Sequence, residues 1–326
     1  MEFFEKRGIG IRGSSELFID AFGVRKKNVL VSHAHSDHAG LTLSNNYFLT
    51  PETRALVGFE GKNCREVGFG EKFFVDDFEV SLHMSGHILG SAQFKIVNST
   101  DVVVTADFKL QKSILLGGAE ILPCDTLLIE STFGRPEFVF PKREEVYAEM
   151  IRWLNSEISR KRFVVLAGYS TGKAQELTKF SNEFLGEVPL VHKKVFEQNK
   201  VYEKFGENLG GYFALDNNLS DANILIVPPH FISDELLHAL SHQLKRKVSC
   251  AIATGWKRHS RYKLFPLSDH ADFPQLVQYV KESGAKRVFT YHGFDKELAQ
   301  WVQKKLGVPA MPLRFAQQKS LAEFAG

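Results

Sequence analysis

Six consecutive residues, His33-Ala34-His35-Ser36-Asp37-His38, put three imidazoles and a carboxylate directly after the apolar run Val29-Leu30-Val31. These groups are natural ligands of zinc and similar divalent cations. Beside a buried strand each must be paired, hydrogen-bonded or metal-bound, because an unsatisfied buried polar group is costly. Alternate side chains of an extended segment share a side. His33 and His35 therefore point one way, while Asp37 and His38 can turn toward a second site. The alternative, a solvated polar loop, sits poorly with the strand that leads into it.

Other short apolar runs also end in residues that can do chemistry. Val102-Val103-Val104 leads to Thr105-Ala106-Asp107, Leu127-Leu128-Ile129 to Glu130, and Arg287-Val288-Phe289-Thr290 to Tyr291-His292. Side chains at strand ends are what a rigid sheet bearing functional loops presents. From about residue 143 the texture changes. A helix over 144–158 carries Val146, Met150, Leu154 and Ile158 at four-residue spacing, and strand–helix alternation follows, which argues for a parallel α/β unit. Strand-end chemistry resumes at Ser268-Asp269-His270. The expected organisation is one catalytic domain in two parts, 1–142 and 253–326, with a parallel α/β domain inserted over 143–252.

With 44% hydrophobic residues and 28 phenylalanines the chain can bury a sizeable core. Its 41 basic and 38 acidic residues leave a net charge of only +3, so binding a polyanion needs positive charge concentrated locally. No apolar run is long enough to span a bilayer, Met1–Arg7 has no signal-like apolar region, and the three cysteines form no C-x-x-C pair. A cytoplasmic protein with no membrane partner is the expectation.

The H-x-H-x-D-H motif resembles the metallo-β-lactamase superfamily, and the match continues in chain order. The superfamily's next histidine corresponds to His87 in Ser85-Gly86-His87, its bridging aspartate to Asp107, and its supporting aspartate to Asp20. Glu130 in Glu130-Ser131-Thr132-Phe133-Gly134, His270 in Ser268-Asp269-His270-Ala271-Asp272 and His292 in Tyr291-His292-Gly293 resemble the three motifs of the β-CASP nucleases. Within that group the segments 86–93, 130–134, 172–175 and 268–272 are most similar to ligase-associated DNA exonucleases and to prokaryotic mRNA 3′-end processing factor-like proteins.

The resemblance implies a metallo-β-lactamase αββα sandwich interrupted by a β-CASP domain. It implies two divalent ions, zinc with manganese as the alternative. His33, His35 and His87 would hold one, Asp37, His38 and His292 the other, and Asp107 would bridge them. Asp37, Asp107, Glu130 and His270 are the catalytic set, with His270 assisting the leaving group and Glu130 orienting it. The implied partner is nucleic acid, DNA by preference and RNA as the alternative, with a DNA ligase or repair complex as an associate. A binding subunit without catalysis conflicts with the filled ligand positions. A small-molecule hydrolase leaves the insert and His270 unexplained.

Two weaker features suggest substrate contacts. Ser170, Thr171 and Lys173 open a helix after a strand, a fair anion site, although Ala167 and Ala174 stand where a Walker A loop needs other residues. Trp256, Lys257, Arg258 and Arg261 interleave aromatics with cations, which suits a single strand. Ser268 is a further candidate contact.

Overall fold

The structure is a computed structural model that describes residues 1–215, 222–256 and 260–316. The chain forms two compact units. One comprises Met1–Leu110, Gly118–Val139 and the chain from His270 onward; the other comprises Gln111–Gly117 and Phe140–Asp269.

In the first unit, six strands form one sheet in chain order: β1 (Glu2–Glu5), β2 (Ile9–Arg12), β3 (Glu16–Ile19), β4 (Asn28–Leu30), β5 (Asn46–Leu49) and β6 (Cys64–Glu66). Helix α1 (Pro51–Val57) follows β5; it starts at Thr50, whose hydroxyl accepts from Thr53 N, and stops at Gly58 in the left-handed region. The strands β7 (Lys72–Val75), β8 (Phe78–Met84), β9 (Ala92–Val97), β10 (Asp101–Val104) and β11 (Thr126–Glu130) belong to a second sheet. Past the second unit the chain returns to it with β18 (Arg287–Tyr291) and β19 (Ala310–Pro312), giving the order β19-β18-β11-β10-β9-β8-β7.

The two sheets share a core, and strand alternation decides which residues enter it. Val102, Val104 and Leu128 pack with Ile11, Leu17 and Leu30 of the first sheet. Their neighbours Val103, Leu127 and Ile129 face the other way, onto α6 (Phe273–Glu282) and α7 (Asp295–Leu306) through Leu276, Val280, Leu298 and Val302. The apolar runs of β10 and β11 are therefore buried on both faces, as parallel strands covered by helices must be. The α/β sandwich implied by the resemblance is present.

In the second unit, six strands pair entirely in parallel, in the order β14-β13-β15-β12-β16-β17. They are β12 (Phe163–Ala167), β13 (Leu190–Val191), β14 (Phe213–Ala214), β15 (Ile224–Val227), β16 (Val248–Ala253) and β17 (Lys263–Phe265). Helix α2 (Arg143–Ser159) precedes β12, and α3 (Lys173–Leu185), α4 (Lys193–Lys204) and α5 (Asp234–Leu244) run between the strands. Val146, Met150 and Leu154 of α2 are buried. Strand β17 pairs with β16, so this sheet continues beyond residue 252, where the sequence reading drew its boundary. No described helix is long and apolar enough to cross a membrane.

Candidate metal centre

Strand ends deliver the functional side chains of the first unit. β3 and β4 are parallel neighbours, and the residues just past them include Asp20 and His33. β10, β11 and β18 are also parallel neighbours, with Glu130 opposite Tyr291, so Asp107, Glu130 and His292 leave the same edge of one sheet. Ala106 (φ 47°) and His292 (φ 58°) sit in the left-handed region. Such strain costs about 1–3 kcal/mol per residue and persists where the surroundings hold it. Here it turns Asp107 and His292 out of their strands.

His35 Nδ1 lies 3.2 Å from His33 Nε2 and 3.1 Å from His87 Nε2. Asp107 Oδ2 lies 3.4, 3.6 and 3.8 Å from Nε2 of His38, His33 and His87. One group of ligand atoms within 4.8 Å of one another is His33, His35, His87 and Asp107; a second is His38, Asp107 and His292. Asp37 stands at the rim of the second group, with Oδ2 3.9 Å from His38 Nε2 and a side chain that is 80% exposed.

Asp20 fixes which ring nitrogens face inward. It accepts from Ser32 N at 2.7 Å, Ser32 Oγ at 2.5 Å and His38 Nδ1 at 2.8 Å, and Ser32 Oγ lies 2.8 Å from His33 Nδ1. With Ser32 donating to Asp20, His33 donates to Ser32. Both histidines thus spend their Nδ1 proton outward and turn Nε2 inward, the arrangement that orients ligating histidines.

The donor set fits a divalent ion. Asp107 Oδ1 is buried and has no hydrogen-bond partner among the described residues. Burial, then the neighbouring His38, His87 and His35, push His33 well below its usual pKa, so it is a neutral imidazole. Burial opposes protonation of His38, but Asp107 and Asp20 raise it to about 10. Burial also opposes charge on Asp107, yet the imidazoles of His38, His270 and His33 hold it well below the usual carboxylate range. Lone pairs converging on a buried carboxylate ask for positive charge, and without a cation the site takes it as a proton on His38.

Beside this cluster, His270 Nδ1 is 3.1 Å from Glu130 Oε1. Glu130 is fully buried, and its Oε2 accepts from Thr132 N at 2.9 Å. The pairing assigns a His270 proton to Nδ1. His270 stacks near His87, with ring centroids 4.6 Å apart. Asp107, Glu130 and His270 also lie close enough to offer ligand atoms to one ion.

Sequence reasoning missed Lys109. It is 2% exposed, and its ammonium donates to the carbonyl of Gly86 and, at 3.4 Å, to that of His87. A buried lysine two residues past Asp107 looks ordinary in sequence; its role shows only once the His87 turn folds onto it. Lys109→Met leaves those carbonyls short of a donor and frees the His87 turn. Chelator competition is expected to read a metal affinity about 10–100-fold weaker, the usual cost of losing a group that orients a ligand.

The expected substrate contacts of the second unit fare differently. Lys173 is 2% exposed, with its ammonium 2.7 Å from Glu176 and 2.8 Å from Asp269, so it is turned to two carboxylates rather than presented to a phosphate. Arg143 completes the cluster on Glu176, and its Nη1 donates to Ser268 O at 2.7 Å. Ser268 is buried. Gln175 Nε2 donates to Ser170 O, and Thr171 donates to Gln198. Arg261 is largely exposed and forks onto Asp234, which neutralises it locally. Trp256 is half-buried; Lys257 and Arg258 lie outside the described residues.

Burial raises Glu176, but Arg143 and then Lys173 bring it down to about 2. Its folded pKa is thus depressed below the ordinary 4.5, so the pair's stabilisation is complete above 4.5 and lost as pH falls toward 2. Glu176→Gln takes the nearer carboxylate from buried Arg143 and leaves it Asp269 at 3.3 Å, and denaturant unfolding should register a loss of about 3–5 kcal/mol at neutral pH. The gap from the native protein should close as pH falls through that window.

No protein-family profile matches the chain. Among curated proteins it is 32% identical over 308 residues to a "Probable DNA ligase" of Opitutus terrae, covering 88% of this chain and 29% of that protein. It is 25% identical over 378 residues to "RNase aCSPSF2" of Saccharolobus solfataricus, covering 90% of this chain and 75% of that one. The chain thus spans under a third of the ligase relative's length. A crystal structure of a protein of unknown function from Enterococcus faecalis superposes with a TM-score of 0.66 at 12% identity, covering 95% of this chain and 96% of that one. That likeness concerns the fold alone.

Proposed function

Because the chain belongs to the β-CASP group of the metallo-β-lactamase superfamily, we propose that it is a two-metal phosphodiesterase acting on nucleic acid, by preference a DNA exonuclease. The observation that carries this reading is the pair of His270 with the buried Glu130 beside the imidazole cluster. A hydrolase that only activates water has no need of it; cleaving a phosphodiester calls for a group that serves the departing oxygen.

In this reading His33, His35 and His87 would hold one ion and His38, His292 and Asp37 the other, with Asp107 available to both. Nitrogen-rich ligation favours zinc, with manganese as the alternative. When bound, two such ions supply an acidified water and neutralise charge on the phosphoryl oxygens. The chain's own residues do the rest. Asp20 and Ser32 keep His33 and His38 in the ligating tautomer. Glu130 holds His270 by Nδ1, and His270 Nε2 donates to the leaving oxygen.

A DNA substrate is supported by the relative named a probable DNA ligase, and work alongside a ligase is part of the proposal. RNA is the second reading, favoured by the RNase relative, most of whose length the chain matches. End-labelled single- and double-stranded DNA and RNA, incubated with zinc or manganese, would report substrate, polarity and product length together. Absence of cleavage of all four by metal-replete protein would overturn the nuclease reading.

A further inference from the structure

A cavity of about 220 Å³ opens at the second ligand group, with Asp37, His38 and His292 in its lining. The turn of the β1–β2 hairpin lines it too, through Glu5 and Arg7. Drug-sized sites begin at roughly 300 Å³, so this space suits one group of nucleotide size rather than several. Half-buried Phe22, Asp20, Tyr291, Gly8 and the apolar Ile9, Ile19 and Leu313 complete the lining.

Arg7 is held in place there. Its backbone is in the left-handed region (φ 52°) and its carbonyl accepts from Phe22 N at 2.7 Å. Its Nη1 lies only 2.4 Å from where a Cβ on Gly23 would stand. Gly23 therefore makes room for the guanidinium, and any larger residue would displace it. Arg7 has no ion pair or side-chain hydrogen bond among the described residues, nor do the exposed Lys6, Arg25 and Lys26 that flank this turn in sequence. Lys27, by contrast, is paired with Glu16 at 2.6 Å. A chain of net charge +3 thus keeps an uncommitted cation, Arg7, in the lining of a cavity that also includes Asp37, His38 and His292.

We propose that this cavity is a nucleotide subsite. It takes the nucleotide adjoining the scissile bond, with that nucleotide's outer phosphate on the Arg7 guanidinium and its base against Phe22. The planar guanidinium fork matches phosphate oxygens in a way an ammonium does not, and an aromatic face accepts any base. The proposal rests on the phosphodiesterase reading and deepens it: the strand would be gripped one nucleotide from the bond that breaks.

Short substrates test it. Dinucleoside monophosphates contain only the scissile phosphate; adding a terminal phosphate at the 5′ or the 3′ end supplies the group Arg7 would hold. The native protein should prefer one phosphorylated isomer by about tenfold or more in kcat/KM, the scale of one charge-assisted contact. Arg7→Gln should erase that preference, and Arg7→Lys should restore it only in part. Glu5→Gln removes the carboxylate at the same hairpin tip and should enlarge it. Direct binding of end-phosphorylated oligonucleotides in chelator should weaken in Arg7→Gln, with a salt slope shallower by about 0.7, one phosphate's worth on a single strand. If the native protein cleaves all the dinucleotides with equal efficiency, or Arg7→Gln keeps preference and slope, the subsite is overturned while the phosphodiesterase reading stands. Failure to cleave any phosphodiester overturns that reading instead.

Discussion

Asp107→Ala protein should leave purification almost free of metal, against about two divalent ions per native chain, as a two-metal site requires, and phosphodiester hydrolysis should vanish with the metal. The expectation follows from position. Asp107 Oδ2 is within 3.8 Å of the ring nitrogens of His33, His38 and His87, and its other oxygen is buried without a partner among the described residues. It belongs to both candidate ligand groups, so one substitution takes a ligand from each. Elemental analysis of gently purified protein, with thermal melting to show that the fold survives, makes the comparison. An active native protein with a stoichiometry near zero, or an Asp107→Ala protein that keeps both ions, would sink the two-metal reading.

His270→Ala should separate chemistry from metal binding. Metal content and substrate affinity should stay near native, while turnover falls by about 10²–10⁴-fold if His270 is a general acid. Glu130→Gln should lose less, since Glu130 acts through its 3.1 Å contact with His270. The deficit at His270 should shrink on a p-nitrophenyl phosphodiester, whose leaving group needs little protonation. Loss of metal from His270→Ala would instead make His270 a ligand, together with Asp107 and Glu130. Wild-type turnover would leave it without a part in the chemistry.

Much of the fold and the centre was legible because it is written locally. Uninterrupted apolar runs such as Val102–Val104 and Leu127–Ile129 announce strands covered on both faces, and the polar residue that follows each marks the sheet edge where a site forms. What stayed hidden depends on contacts between distant positions. Lys173 follows a glycine-bearing turn and reads as a phosphate ligand. Asp269, 96 residues later, and Glu176 claim it instead. Arg261 looks like part of a basic run until Asp234, 27 residues earlier, closes on it. Lys109 and Arg7 carry no local signature: one matters because a turn folds onto it, the other because Gly23 leaves space for it.

The pairing of β11 with β18 also sets a timetable. Ser131 bonds to the carbonyl of Tyr291 across 160 residues of chain, and at about 5–20 residues per second a ribosome takes roughly 8–30 s to cross that interval. Throughout it β11, with the apolar run Leu127–Ile129 at its centre, lacks its neighbour on one side, an open edge that invites foreign strands. His33, His35, His38, His87 and Asp107 have already emerged, so a nascent chain can gather a cation early. His270 and His292 are translated last. The whole of the larger ligand group, His33, His35, His87 and Asp107, thus precedes the second unit in synthesis, whereas the residue proposed to serve the leaving oxygen follows it.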